Sequence, residues 1–200
     1  MRVLWTALAA TVLAVPVTAQ QTTGQAAGNF RLTDMAGKTV SLSDYRGRTV
    51  VLEWNNPGCP YVQKHYDSGN MQRTQGTAAA GGAVWLTVNS GAPGKQGHMT
   101  GPEARAFVAK AKARPTAYLL DPEGRVGRGY AAKTTPHLYV IDGRGVMRYQ
   151  GGIDDKPTAD RSDIAGARNH VLAALGELKA GRPVSVPETR PYGCSVKYAG

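Results

Sequence analysis

Two cysteines stand in 200 residues, and the surroundings of one of them suit chemistry better than packing. Cys59 lies in Asn56-Pro57-Gly58-Cys59-Pro60, just after the apolar run Thr49 to Trp54, where a strand stops and a helix begins. A sulfur at a helix amino terminus meets unpaired backbone N–H groups and the positive end of the helix dipole, and both favour a thiolate. The thiolate is the attacking form, so Cys59 is the candidate nucleophile, with an ionised and solvent-open sulfur expected. Cys194 sits six residues from the carboxyl end, in Arg190-Pro-Tyr-Gly-Cys-Ser-Val-Lys-Tyr198. An oxidised Cys59 would condense with a second thiol, and Cys194 is its one partner within the chain. The pair is expected to rest as a disulfide and to cycle. The competing expectation is a permanent Cys59–Cys194 staple in a redox-inert binding module.

Other chemistry is weaker. His65 follows Cys59 by six residues and His137 follows Pro136, so a thiolate with imidazoles offers a low-ranked copper site. Asp154-Asp155 reads as solvated charge in a turn. Ala92-Pro-Gly-Lys-Gln-Gly97 lacks the strand–loop–helix setting of a phosphate loop, and no Ser nucleophile elbow is present. No flavin or nicotinamide motif appears, so no cofactor is expected and reduction is assigned to an external dithiol.

The elements that must position Cys59 follow from patterning. Phe30 to Leu42 reads as two short strands around Gly37, and Thr49–Trp54 as a central strand covered on both sides. Pro60 suits the first helical position, and a helix is expected from there to about Arg73. Ala83–Asn89 is a second buried strand, followed by a twelve-residue loop expected to be functional or mobile. Pro102 opens a helix ending near Ala113, Thr116–Asp121 forms a strand, and a short helical piece follows. Residues His137 to Gly151 form a hairpin around Asp142-Gly143. Ile164, Ala167, Val171, Leu175 and Leu178 give one buried helical face. The order of elements argues for an α/β chain with a mixed central sheet and helices on both faces.

Bulk properties bound the rest. Residues 1–19 carry Arg2, an apolar run too short for a span, and small residues near Ala19, which reads as a cleaved export signal. Residues 20–29 are expected to be a flexible lead-in, 30–182 one domain, and 183–200 an extended tail carrying Cys194. Export to the periplasm or outside is expected, where disulfides persist. The formal charge of +10 is scattered and reads as a solubilising surface rather than a nucleic-acid footprint. No later segment is apolar enough to span a membrane, and oligomeric state is not fixed by the sequence.

Three segments carry a resemblance to a known family. Asp44 to Tyr61 resembles the first active-site segment of thioredoxin-fold redoxins, particularly the alkyl hydroperoxide reductase/thiol-specific antioxidant group. Thr134 to Gly145 resembles their Thr-Pro-strand-Asp-Gly hairpin, and Arg190 to Tyr198 the tail of a peroxiredoxin-like bacterial subgroup. Together they cover about Phe30 to Tyr198. The resemblance implies a thioredoxin-like fold, a peroxide or disulfide substrate, and a cis Thr135–Pro136 bond facing Cys59. It also implies that the Thr135 backbone frames an incoming chain and that Trp54 sits beside the site as a substrate-facing or a packing aromatic. The chain departs from thioredoxin-type exchangers, which place a second cysteine where Asn56 stands, and from peroxiredoxins, which place Thr there. Asn56 is expected to hydrogen-bond near the sulfur.

Overall fold

The computed structural model describes residues 22–200; the expected export signal lies outside the described residues. A seven-stranded mixed sheet runs through the molecule. Its strands are β1 (Arg31–Asp34), β2 (Thr39–Ser41), β3 (Val50–Trp54), β4 (Val84–Asn89), β5 (Ala117–Leu120), β7 (His137–Ile141) and β8 (Met147–Gly151). Their spatial order is β2-β1-β5-β4-β3-β7-β8. The central β5, β4 and β3 are parallel, while β7 pairs antiparallel with β3 and β8 antiparallel with β7. This is the thioredoxin-like arrangement expected from the sequence.

Alternation along β3 splits the core. Val50, Leu52 and Trp54 face one cluster with Leu86, Val88, Tyr139 and Ile141. Val51 faces the other with Trp85, Leu138 and Val140. That second face is covered by α1 (Pro60–Asp67), α2 (Asn70–Ala80) and α5 (His170–Lys179), through Val62, Met71, Ala78, Val171 and Ala174. Phe107 of α3 (Gly101–Lys110) packs there too. The opposite face is closed by the amino-terminal segment, by α4 (Arg125–Gly129) through Val126, and by Val196 of the tail. Every residue of β3 and β4 is buried, as a doubly covered strand requires.

Three expectations are corrected. The helix after Cys59 is two helices, because Gly69 adopts φ 73° and breaks the ladder between Asp67 and Asn70. Glycine reaches that left-handed region without a Cβ clash. The last helix starts at His170, so Ile164 and Ala167 lie outside it. Asn169 caps it by accepting from the Leu172 N–H at 2.9 Å, while Arg161–Gly166 is a separate 3-10 turn. Residues 22–29 are docked rather than flexible. Gly24 N–H donates to Met147 O at 2.8 Å, Ala27 N–H to Gly145 O at 2.9 Å, and Ala26 bridges Val146.

Candidate thiol site

Cys59 caps α1 from an extended conformation, and Pro60 takes the first helical position, where its missing N–H is not needed. The carbonyl of Cys59 accepts from Gln63 N–H at 2.9 Å, which locks the sulfur-bearing residue to the first turn. The tail returns across the fold to this point. The two-residue strands β6 (Thr134–Thr135) and β9 (Cys194–Ser195) pair antiparallel, with Thr135 opposite Cys194. Both cysteines are free, with their sulfurs 2.7 Å apart. The Thr135 carbonyl lies 3.1 Å from the Cys59 sulfur, and the Thr135–Pro136 bond is cis. Thr135, Pro136 and Cys194, all distant in sequence, thus converge on the Cys59 sulfur.

The electrostatics separate the two thiols. Burial acts to raise the Cys59 pKa, but hydrogen bonds from the Cys194 thiol and from the Val62 and Cys194 backbone outweigh it, so Cys59 ionises more readily than an ordinary cysteine. Cys194 is pushed the other way, up to about 11, by burial and by the neighbouring Cys59 sulfur. One proton shared between two sulfurs is therefore held by Cys194, and Cys59 is the sulfur that ionises first.

The expectation of a solvent-open sulfur is corrected: Cys59 is 0% exposed, because the tail lies over it. Trp54 takes the packing role rather than a substrate-facing one. It points into the opposite core face, packs on Tyr130 and Tyr139 with ring centroids 5.5 and 5.1 Å away, and donates to Ser90 Oγ at 3.0 Å. Strand alternation is the reason, since Trp54 and Val51 must face opposite ways. Asn56 serves the loop rather than the sulfur. Its Oδ1 accepts from Gly58 N–H at 2.9 Å and its Nδ2 donates to Gln96 Oε1 at 2.9 Å. Those bonds and the Asn89-to-Gly97 contact at 2.8 Å hold the long loop down against the active turn.

The two histidines are buried and occupied. Asn70 Nδ2 donates to His65 Nδ1 at 2.8 Å, which leaves the proton on Nε2, 3.2 Å from the Tyr192 hydroxyl. Tyr192 in turn donates to Asp154 Oδ1. His137 Nδ1 lies 3.1 Å from the Tyr139 hydroxyl and 3.3 Å from Lys133 N. Among the described residues, no group of three or more His, Cys, Asp or Glu is arranged to hold a metal. Burial lowers His65 to about 4 and His137 to about 3. Between those values and the ordinary 6.5, the unfolded chain binds protons that the fold refuses, so stability rises with pH across this window. We expect the urea midpoint to drop as pH is taken from 7 to 4.5, and His65→Gln to flatten part of that slope. Parallel curves for the two proteins, followed by circular dichroism, would show that His65 is not held neutral.

Sequence reading passed over Tyr192, Tyr198 and Glu53. The first two flank Cys194 in a tail without periodicity. Glu53 lies inside an apolar run, and its isolation there was the available signal.

A cysteine at the start of the first helix, facing a cis-proline strand on a mixed sheet, defines a thioredoxin-fold thiol protein. Residues 23–150 match the AhpC/TSA family, and the chain belongs to it. It is similar to a hypothetical protein from Sinorhizobium meliloti 1021 (21% identity, TM-score 0.76, 91% of this chain and 97% of that one). A candidate thiol:disulfide interchange protein DsbE from Chlorobium tepidum is 27% identical, with TM-score 0.57 over 78% of this chain and 100% of that one. Peroxidoxin BcpB from Mycobacterium tuberculosis is 18% identical, with TM-score 0.56 over 78% and 97%. No curated protein matches the chain. Family and fold make this a protein of the thiol-dependent redox class. Among the described residues, no helix is long and apolar enough to cross a membrane.

Proposed function

We propose that this protein is an exported thiol–disulfide oxidoreductase in which Cys59 and Cys194 form the redox couple. The observation that carries the reading is the 2.7 Å approach of the two sulfurs at the start of α1, with Cys194 presented on a strand opposite Thr135. The Cys59 thiolate attacks one sulfur of a substrate disulfide, forming a mixed disulfide and expelling the other sulfur as thiolate. Cys194 then gives up its proton and attacks the Cys59 sulfur. The Cys59–Cys194 bond forms and the second substrate thiol leaves. An external dithiol reduces that bond and is itself oxidised to a disulfide. Export is read from residues 1–19, and it would place the couple where disulfides persist.

Peroxide reduction is the second reading, and membership of the AhpC/TSA family favours it. There the Cys59 thiolate would take one peroxide oxygen to become sulfenate, with the other leaving as alcohol or water. Attack by the Cys194 thiol would then release water and give the same disulfide.

Intact-mass measurement after maleimide trapping tests both. The reduced protein is expected to take two labels, and after one equivalent of disulfide or peroxide it takes none. In Cys194→Ser the oxidised state instead persists as a mixed disulfide or sulfenic acid. Two labels retained after both oxidants would end the proposal. The oxidant that acts faster decides between the two readings.

A further inference from the structure

The tail lies along β6, outside the main sheet, in a groove it fills as a ligand would, with side-chain pockets on either side of the cysteine. On one side Tyr192 packs edge-on against Tyr61, with ring centroids 5.9 Å apart, and its hydroxyl is held by His65 and Asp154. On the other, Tyr198 rests on Gly124 and Gly127. A Cβ at either glycine would come within 2.5 Å of the tyrosine, so glycine there leaves the space the ring fills. The Arg128 guanidinium lies 4.6 Å from the Tyr198 ring centroid, and the hydroxyl donates to Ala132 O at 2.8 Å. Between the pockets the contacts are main-chain. Thr135 pairs with Cys194, and Val196 N–H donates to Lys133 O at 3.1 Å. Main-chain pairing accepts any extended chain, while pockets for its side chains select among them.

The occupant is also removable. Its strand is only two residues long, so little main-chain pairing is given up when it is displaced. With the tail in place, Cys59 has no exposed surface. A large partner can meet the sulfur only by taking the tail's place.

We propose that the groove beneath Tyr192–Tyr198 binds an extended cysteine-bearing polypeptide segment, with an aromatic side chain two residues before its cysteine and another four after it. The tail is the internal occupant that such a segment displaces. This rests on the reading that Cys59 exchanges disulfides, and it adds the class of partner.

The test uses the full chain carrying Cys194→Ser, with peptides of the tail sequence whose cysteine is capped by thionitrobenzoate. The Cys59 thiolate attacks the peptide sulfur, a Cys59–peptide disulfide forms, and thionitrobenzoate leaves with the electron pair as a coloured anion. The peptide with both tyrosines should react about tenfold or more faster than one with both replaced by alanine, since a lost aromatic anchor costs upward of about 1 kcal/mol. Adding Tyr198→Ala to the protein empties one pocket, so the tyrosine peptide should react faster still and keep its advantage. Equal rates for the two peptides, alongside prompt reaction with the small bis-thionitrobenzoate disulfide, would overturn the groove and leave the disulfide-exchange reading standing. Failure of Cys59 to react even with the small disulfide would remove that reading, and the groove with it.

Discussion

Cys59→Ser is expected to abolish turnover of disulfide and peroxide alike, by at least about 10³-fold, with the fold retained. Serine is nearly the size of cysteine, and it keeps the extended cap before Pro60. It loses the ionisable sulfur on which the Val62 and Cys194 backbone and the Cys194 thiol converge. Cys194 cannot take over. Burial, the largest cause raising its pKa, persists in the variant, so its thiolate stays scarce at pH 7 even without the neighbouring Cys59 sulfur. The measurement is steady-state reduction of a small disulfide and of hydrogen peroxide, with circular dichroism as the control for folding. Residual activity above about one per cent would mean that Cys59 is not the attacking group.

Glu53→Ala should be the most destabilising single change in the sheet, costing about 3–5 kcal/mol. The carboxylate is fully buried in β3 and accepts from Trp85 Nε1 at 2.8 Å, Thr87 Oγ1 at 3.1 Å, Asn55 Nδ2 at 3.1 Å and the Tyr66 hydroxyl at 2.8 and 3.0 Å. Removal strands those donors without water. The loss reaches the thiol site, because the Tyr66 bond ties the helix that begins at Cys59 to the strand behind it. Burial raises the Glu53 pKa despite these bonds. The folded state therefore favours the proton, and the stability Glu53 contributes is full below about 4.5 and falls as pH rises toward the folded value. Glu53→Gln keeps the shape and one acceptor, so its loss should be smaller and this descent should vanish. Urea unfolding across pH 4 to 8 measures both. An alanine variant within about 1 kcal/mol of the parent would show that the donors find other partners.

The strand–turn–helix around Cys59 was legible because its signals are local. A continuous apolar run, a Gly-Cys-Pro junction and a proline at the first helical position each constrain neighbours along the chain. The Asp142-Gly143 hairpin was legible for the same reason. Where reading failed, a single residue had altered a longer pattern. Gly69 divided a helix expected to run on through it, and Asn169 started one late by capping it. The resemblance put Trp54 beside the site, yet alternation along β3 turns it to the other face.

By itself the sequence determined the thioredoxin-like sheet, the place of Cys59 at a helix start, and the identity of the one other thiol. Tertiary structure decided that Cys194 reaches it, that the tail buries it, and which of the two sulfurs ionises. The physical reason is range. Strand alternation, capping and turn chemistry act over a few residues, whereas the pKa of a thiol depends on dipoles and burial brought from Thr135 and Cys194, far along the chain.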